Sequence, residues 1–308
     1  MRYRSFGSDG TALSCVGLWL REKLAARCGA EAVYIALENG INVFQVVAGD
    51  TVALNALGEA LKHVERRLVF VILRVGVART DRGDERDFTP PGLVNALRVS
   101  GSTLRAGAFD LLLLDDPGEH ELSPRALEAL RREQQGGRVR AVGVSGEGDP
   151  VDAYVSSRNF DVLATPYNLL CGWKERLRLK AAAANDMPVL GYRFFPPEFD
   201  ARERAPAPPP PVLAAANKLN LFKRSEPTAQ VAAAWAEYDF LSSVKNWTPQ
   251  ELCLAYSLTD PGLCTMMVAP RTLEELESLA AVPDRDFPTL VAAQIEMARF
   301  SASPAKSA

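Results

Sequence analysis

The stretch Phe109–Asp115, FDLLLLD, carries four consecutive leucines between two aspartates. A strand with one face in water alternates apolar and polar residues, whereas a strand covered on both faces does not, so this run reads as a parallel strand between two layers. Similar runs recur at 14–18 (SCVGL), 41–46 (INVFQV), 68–74 (LVFVILR), 139–145 (VRAVGVS), 160–164 (FDVLA), 187–192 (MPVLGY) and 263–268 (LCTMMV). Amphipathic stretches lie between them at 30–39, 54–65, 90–104, 123–135, 169–185, 248–258 and 272–279. Ser123-Pro124 and Thr248-Pro249 are helix starts, with a hydroxyl as cap and proline at the first helical position, and Thr272 caps another. Eight strands alternating with helices over 308 residues predict a (β/α)8 TIM barrel whose site lies at the C-terminal strand ends. A doubly wound open sheet is the alternative, but no strand is followed by a Gly-x-Gly-x-x-Gly turn.

Ahead of the first run, Ser8-Asp9-Gly10-Thr11 separates two short strand-like pieces and predicts an N-terminal β-hairpin that plugs the barrel bottom. Residues 205–211, APAPPPP, predict an extended polyproline segment. Residues 1–300 read as one barrel and 301–308 as a flexible tail. Trp235, Tyr238, Phe240 and Trp247 cluster after the proline run and are expected over the barrel mouth, with an interface as the alternative.

Lysine and arginine total 35 against 38 aspartates and glutamates, and they are scattered, which argues against nucleic acid as a partner. No run reaches the ~20 apolar residues of a membrane helix, and the start has no apolar block of a signal peptide, so the expected location is the cytoplasm. The five cysteines form no Cys-x-x-Cys pair; buried thiols fit them better than disulfides or a metal site.

RYRSFGSDGTALSCVGLWL, ALENGINVF, LGEAL, DLLLLDDP, ALEALRREQQGGRVRAVGVS, FDVLATPYNLL and VAPRTLEELESL, in that order, resemble the aldo-keto reductase family. The resemblance covers nearly the whole chain. It implies the barrel fold and NADPH-dependent carbonyl reduction by an aspartate, a tyrosine, a lysine and a histidine at strand ends. In that scheme tyrosine is the general acid, the lysine–aspartate pair lowers its pKa, and histidine orients the carbonyl.

Alignment with that pattern puts Gln45 at the aspartate, Asp50 at the tyrosine, Arg74 at the lysine and Asp115 at the histidine. Glutamine cannot hold an ammonium by charge, and an ordinary aspartate is ionised at neutral pH with no proton to give. A slipped alignment does not repair the set: there is no tyrosine between Tyr34 and Tyr154, no lysine between Lys62 and Lys174, and the only histidines are His63 and His120. His120, beyond the fourth strand, is either a histidine folded over the mouth or a solvated loop residue.

Of the cofactor contacts that the resemblance implies, Ser145 matches the serine on the nicotinamide carboxamide and Tyr192 the aromatic on which the nicotinamide stacks. Gly146 stands for the neighbouring asparagine and Ala164 for a glutamine, while Arg193-Phe194-Phe195 replaces the Ser-Pro-Leu at the pyrophosphate. Arg271 is kept where an arginine holds the adenosine phosphate; an exposed arginine before a helix is the bland alternative. Tyr167 and Asn168 fit a structural turn. The expectation is no NADP(H) or weak NADP(H).

Three readings follow. The first is an aldo-keto-reductase-like barrel without the reductase set, binding a small molecule or a protein partner as a non-redox or regulatory protein. The second is a repurposed acid/base enzyme of lyase or isomerase type using Asp50, Arg74 and Asp115, whose bland counterpart is an Arg74–Asp115 ion pair. The third is an NADP-dependent oxidoreductase acting on a carbonyl or alcohol.

Overall fold

Each of the eight apolar runs carries a strand, and together the eight close into a barrel. The computed structural model describes residues 1–7, 10–80, 83–105, 107–197, 199 and 237–302; the polyproline stretch 205–211 and Trp235 lie outside them. In chain order the barrel strands are β3 (Val16–Trp19), β4 (Val43–Val47), β5 (Phe70–Val75), β8 (Phe109–Asp115), β9 (Val139–Ser145), β10 (Val162–Pro166), β11 (Val189–Tyr192) and β12 (Leu263–Val268). All pair in parallel with their neighbours, and β12 closes on β3.

Ten helices lie among the described residues: α1 (Glu22–Cys28), α2 (Glu31–Glu38), α3 (Thr51–Leu61), α4 (Pro90–Leu104), α5 (Pro124–Gln135), α6 (Asp149–Ser157), α7 (Trp173–Ala184), α8 (Pro249–Ser257), α9 (Leu273–Ala281) and α10 (Thr289–Ala302). Thr89, Ser123, Thr248 and Thr272 accept backbone N–H bonds at the starts of α4, α5, α8 and α9. Each satisfies a donor that the first helical turn leaves without a partner. Helix α10 runs through Ala302 and so takes in the first two residues of the expected tail.

The strands β1 (Tyr3–Phe6) and β2 (Thr11–Ser14) form the expected antiparallel hairpin. Its Phe6 and Leu13 enter the barrel's inner cluster with Val43, Phe70, Ile72, Leu111 and Leu113, and Phe6 meets the Phe70 ring edge-on at 4.8 Å. Two reciprocal bonds tie the plug to the barrel, from the Ser14 backbone N–H to Asn42 Oδ1 at 2.8 Å and from the Asn42 backbone N–H to Ser14 Oγ at 3.1 Å. A second cluster fills the space between strands and helices, which is why the strands are apolar on both faces.

A second hairpin, β6 (Val77–Thr80) with β7 (Gly83–Arg86), leaves the end of β5 and was not expected from the sequence. Arg86 closes it against the loop after β8, bonding Glu121 through Nε at 2.8 Å and the Asp116 carbonyl through Nη2. That bond draws the Glu121 carboxyl down to about 2, helped by the Gly118 backbone N–H. Of the aromatic residues after the proline run, Tyr238, Phe240 and Trp247 do not line the mouth cavity. Tyr238 is fully buried against Phe199 and Phe240, and Trp247 lies against Phe287 and Arg285.

Candidate ligand site at the barrel mouth

Along β5, Phe70 and Ile72 face the inner cluster, so Arg74 two residues on faces the top of the same interior. The same alternation turns Gln45 on β4, Asp115 on β8, Ser145 on β9 and Tyr192 on β11 inward. Arg74 is 4% exposed, and its Nη2 donates to Asp115 Oδ1 at 2.5 Å and to Ser145 Oγ at 2.9 Å. The guanidinium carbon sits 4.9 Å from the Trp19 ring centroid and 5.1 Å from that of Tyr192, close enough for cation–π attraction. Burial pushes the Tyr192 phenol above its ordinary value, with Arg74 and Arg193 opposing.

Four of these residues reach a cavity of about 460 Å³ at the C-terminal end of the barrel. Trp19, Arg74, Asp115 and Tyr192 line the floor, while Arg86, Phe194, Phe195 and Pro197 line the wall that leads to Arg271 and Glu275. Its lining arginines Arg21, Arg74, Arg86, Arg193 and Arg271 exceed the carboxylates Asp115, Asp116, Glu147 and Glu275 by one. Arg74 is paired with Asp115, Arg86 with Glu121 and Arg193 with Glu147 at 3.1 Å.

The structure brings together Arg74, Asp115, Ser145 and Tyr192, with Arg271 at the far end of the same cavity. It separates Asp50 from them. Asp50 is the N-cap of α3, its Oδ1 accepting the Ala53 backbone N–H at 2.9 Å, and it does not line the cavity. A carboxylate spent on a helix start is not poised for proton transfer at Arg74. Asp50→Ala is therefore expected to cost about 1 kcal/mol, in the usual range of a lost cap, and Asp50→Asn almost nothing; urea denaturation of the two variants checks this.

His120 is exposed in the turn after β8 and also stays outside the lining. Gln45 is 1% exposed, opposite Trp19 in the β3–β4 pairing, and its Nε2 has no hydrogen-bond partner. Sequence reasoning missed Trp19, Arg86 and Glu275 as lining residues. Trp19 was within reach, since it is one residue past the run 14–18 and at a strand's C-terminal end.

Gly146 has φ +145°, and a Cβ there would lie 2.4 Å from Asp116 Oδ1 and 2.7 Å from Val151 Cγ2. The chain at this point is shaped for glycine.

The model of the aldo/keto reductase family matches residues 15–299. The chain belongs to the aldo/keto reductase family. Among curated proteins, none matches the chain in sequence. Of solved structures, an aldo-keto reductase from Bacillus halodurans in its holo form superposes with a TM-score of 0.75 at 17% identity, over 97% of this chain and 96% of that one. The glycerol dehydrogenase of Gluconobacter oxydans gives 0.74 at 18% identity over 99% and 97%. An aldo-keto reductase from Klebsiella pneumoniae in complex with NADPH gives 0.66 at 18% over 96% and 95%. At these identities the likeness is one of fold. Among the described residues no helix is long and apolar enough to cross a membrane.

Proposed function

We propose that this member of the aldo/keto reductase family binds a small molecule at the barrel mouth without reductase chemistry. The observation that carries the reading is the position of Arg74. Its guanidinium lies against the Tyr192 ring, where the family's pattern stacks the nicotinamide, and its Nη2 bonds Ser145 Oγ, the group that the pattern assigns to the carboxamide. A permanently charged side chain held by a carboxylate, a hydroxyl and two rings does not move aside at low cost. The backbone at Gly146 adds to this, since the asparagine of the carboxamide clamp would be strained at its φ of +145° and crowded by Asp116 and Val151.

Arg74 and Asp115 are the residues of the acid/base reading that remain in contact, and their contact supports the ion-pair alternative over proton transfer. The NADP-dependent reading draws support from the cavity itself, which runs from Tyr192 to Arg271. The two are separated by turnover. Wild-type protein with NADPH and a panel of aliphatic and aromatic aldehydes is expected to give no oxidation of NADPH above the protein-free rate. Robust turnover in that assay overturns the non-redox reading.

A further inference from the structure

We infer that the floor of the mouth cavity is a receptor for the carboxylate of a small organic acid, with Arg74 and the Trp19 indole N–H as its donors. This rests on the non-redox reading of the same site and names its ligand class.

The hydrogen-bond balance carries the inference. Arg74 uses Nη2, but its buried Nε and Nη1 have no partner, and neither do the buried Nε1 of Trp19 and Nε2 of Gln45. Each is a donor and none can accept. An unpaired buried donor is costly, and a charged one more so. A cavity lined by Trp19 and Arg74, both with such donors, calls for an occupant rich in acceptors, and a guanidinium cannot relieve the imbalance by losing its proton.

The acceptors that Nη2 uses, Asp115 Oδ1 and Ser145 Oγ, leave Nε and Nη1 to a ligand that brings acceptors of its own. A carboxylate has only acceptors and makes short charge-assisted bonds to such donors. Asp115 neutralises part of the arginine's charge at 2.5 Å, which favours a monoanion over a phosphate dianion. The Trp19 and Tyr192 rings lie against the guanidinium, and its N–H bonds run in its own plane, matching a planar group. Above the floor, Phe194, Phe195, Pro197 and Met267 provide apolar wall, which suits an acid with an aromatic or aliphatic body. A cavity of about 460 Å³ is in the range that encloses small ligands.

The test uses the full chain free of nucleotide, with its four tryptophans labelled at the indole nitrogen. The N–H resonance missing from Trp19→Phe is that of Trp19. Sodium formate and sodium benzoate are expected to shift it downfield to saturation, whereas formamide, benzamide and sodium chloride at equal ionic strength leave it in place. In Trp19→Phe, which keeps an aromatic face against Arg74, benzoate affinity by calorimetry is expected to fall about ten-fold or more for loss of a bond to a charged group. Absence of a saturable shift with either acid, an equal shift with the amides or chloride, or unchanged affinity in Trp19→Phe each overturns the assignment. The two readings fail separately. Turnover of NADPH by a protein that binds benzoate through Trp19 refutes the non-redox reading alone, and a protein inert to NADPH and to both acids refutes the carboxylate alone.

Discussion

Arg74→Met is expected to lower the unfolding free energy by about 3–5 kcal/mol, the usual cost of removing one member of a buried ion pair. Asp115, 8% exposed, would lose the guanidinium and keep the 3.5 Å contact to Ser145 Oγ. The double variant Arg74→Met/Asp115→Leu is expected to recover most of that loss, because two apolar side chains of similar volume replace both charges together. Urea denaturation of wild type, both single variants and the double variant yields the coupling. A loss below about 1 kcal/mol in Arg74→Met would place the pair among surface salt bridges and remove the argument that Arg74 is fixed on the barrel floor.

Gly146→Asn is the second large effect. A non-glycine residue at φ +145° carries a backbone strain of about 1–3 kcal/mol, and overpacking against Asp116 and Val151 adds a similar amount. The expected sum is about 2–6 kcal/mol in the same denaturation assay. The consequence for activity is direct. Restoring Gln45→Asp, Asp50→Tyr, Arg74→Lys and Asp115→His together would supply the family's four chemical groups, yet the neighbouring backbone would still strain and crowd the asparagine of the carboxamide clamp. A Gly146→Asn protein as stable as wild type would show that this backbone yields.

The barrel was legible because a strand covered on both faces has no alternation to obscure it; FDLLLLD and LVFVILR carry that signal without help from distant residues. The contact between Arg74 and Asp115 was legible for the same reason, since the two residues end neighbouring strands. Asp50 was misread although its signal was local: an aspartate followed by Thr51-Val52-Ala53-Leu54 is an ordinary helix start, and alignment to a catalytic tyrosine hid it. The β6–β7 hairpin was missed because VARTDRGDER has little apolar content in its return strand, and Arg86 ties it to Glu121 in the loop after the neighbouring strand β8. No local pattern announces such a contact. The unpartnered donors of Trp19, Gln45 and Arg74 are a property of three strands packed together, and sequence spacing carries no trace of them.

The central claim is that Arg74 occupies the seat of the nicotinamide. A fluorescence titration of wild-type protein with NADPH tests it most directly, by quenching of the tryptophans and enhancement of nucleotide emission. The expected result is no saturable change up to about 100 μM, a concentration that corresponds to roughly 5.5 kcal/mol of binding free energy. A dissociation constant below about 1 μM, roughly 8 kcal/mol, would contradict the account.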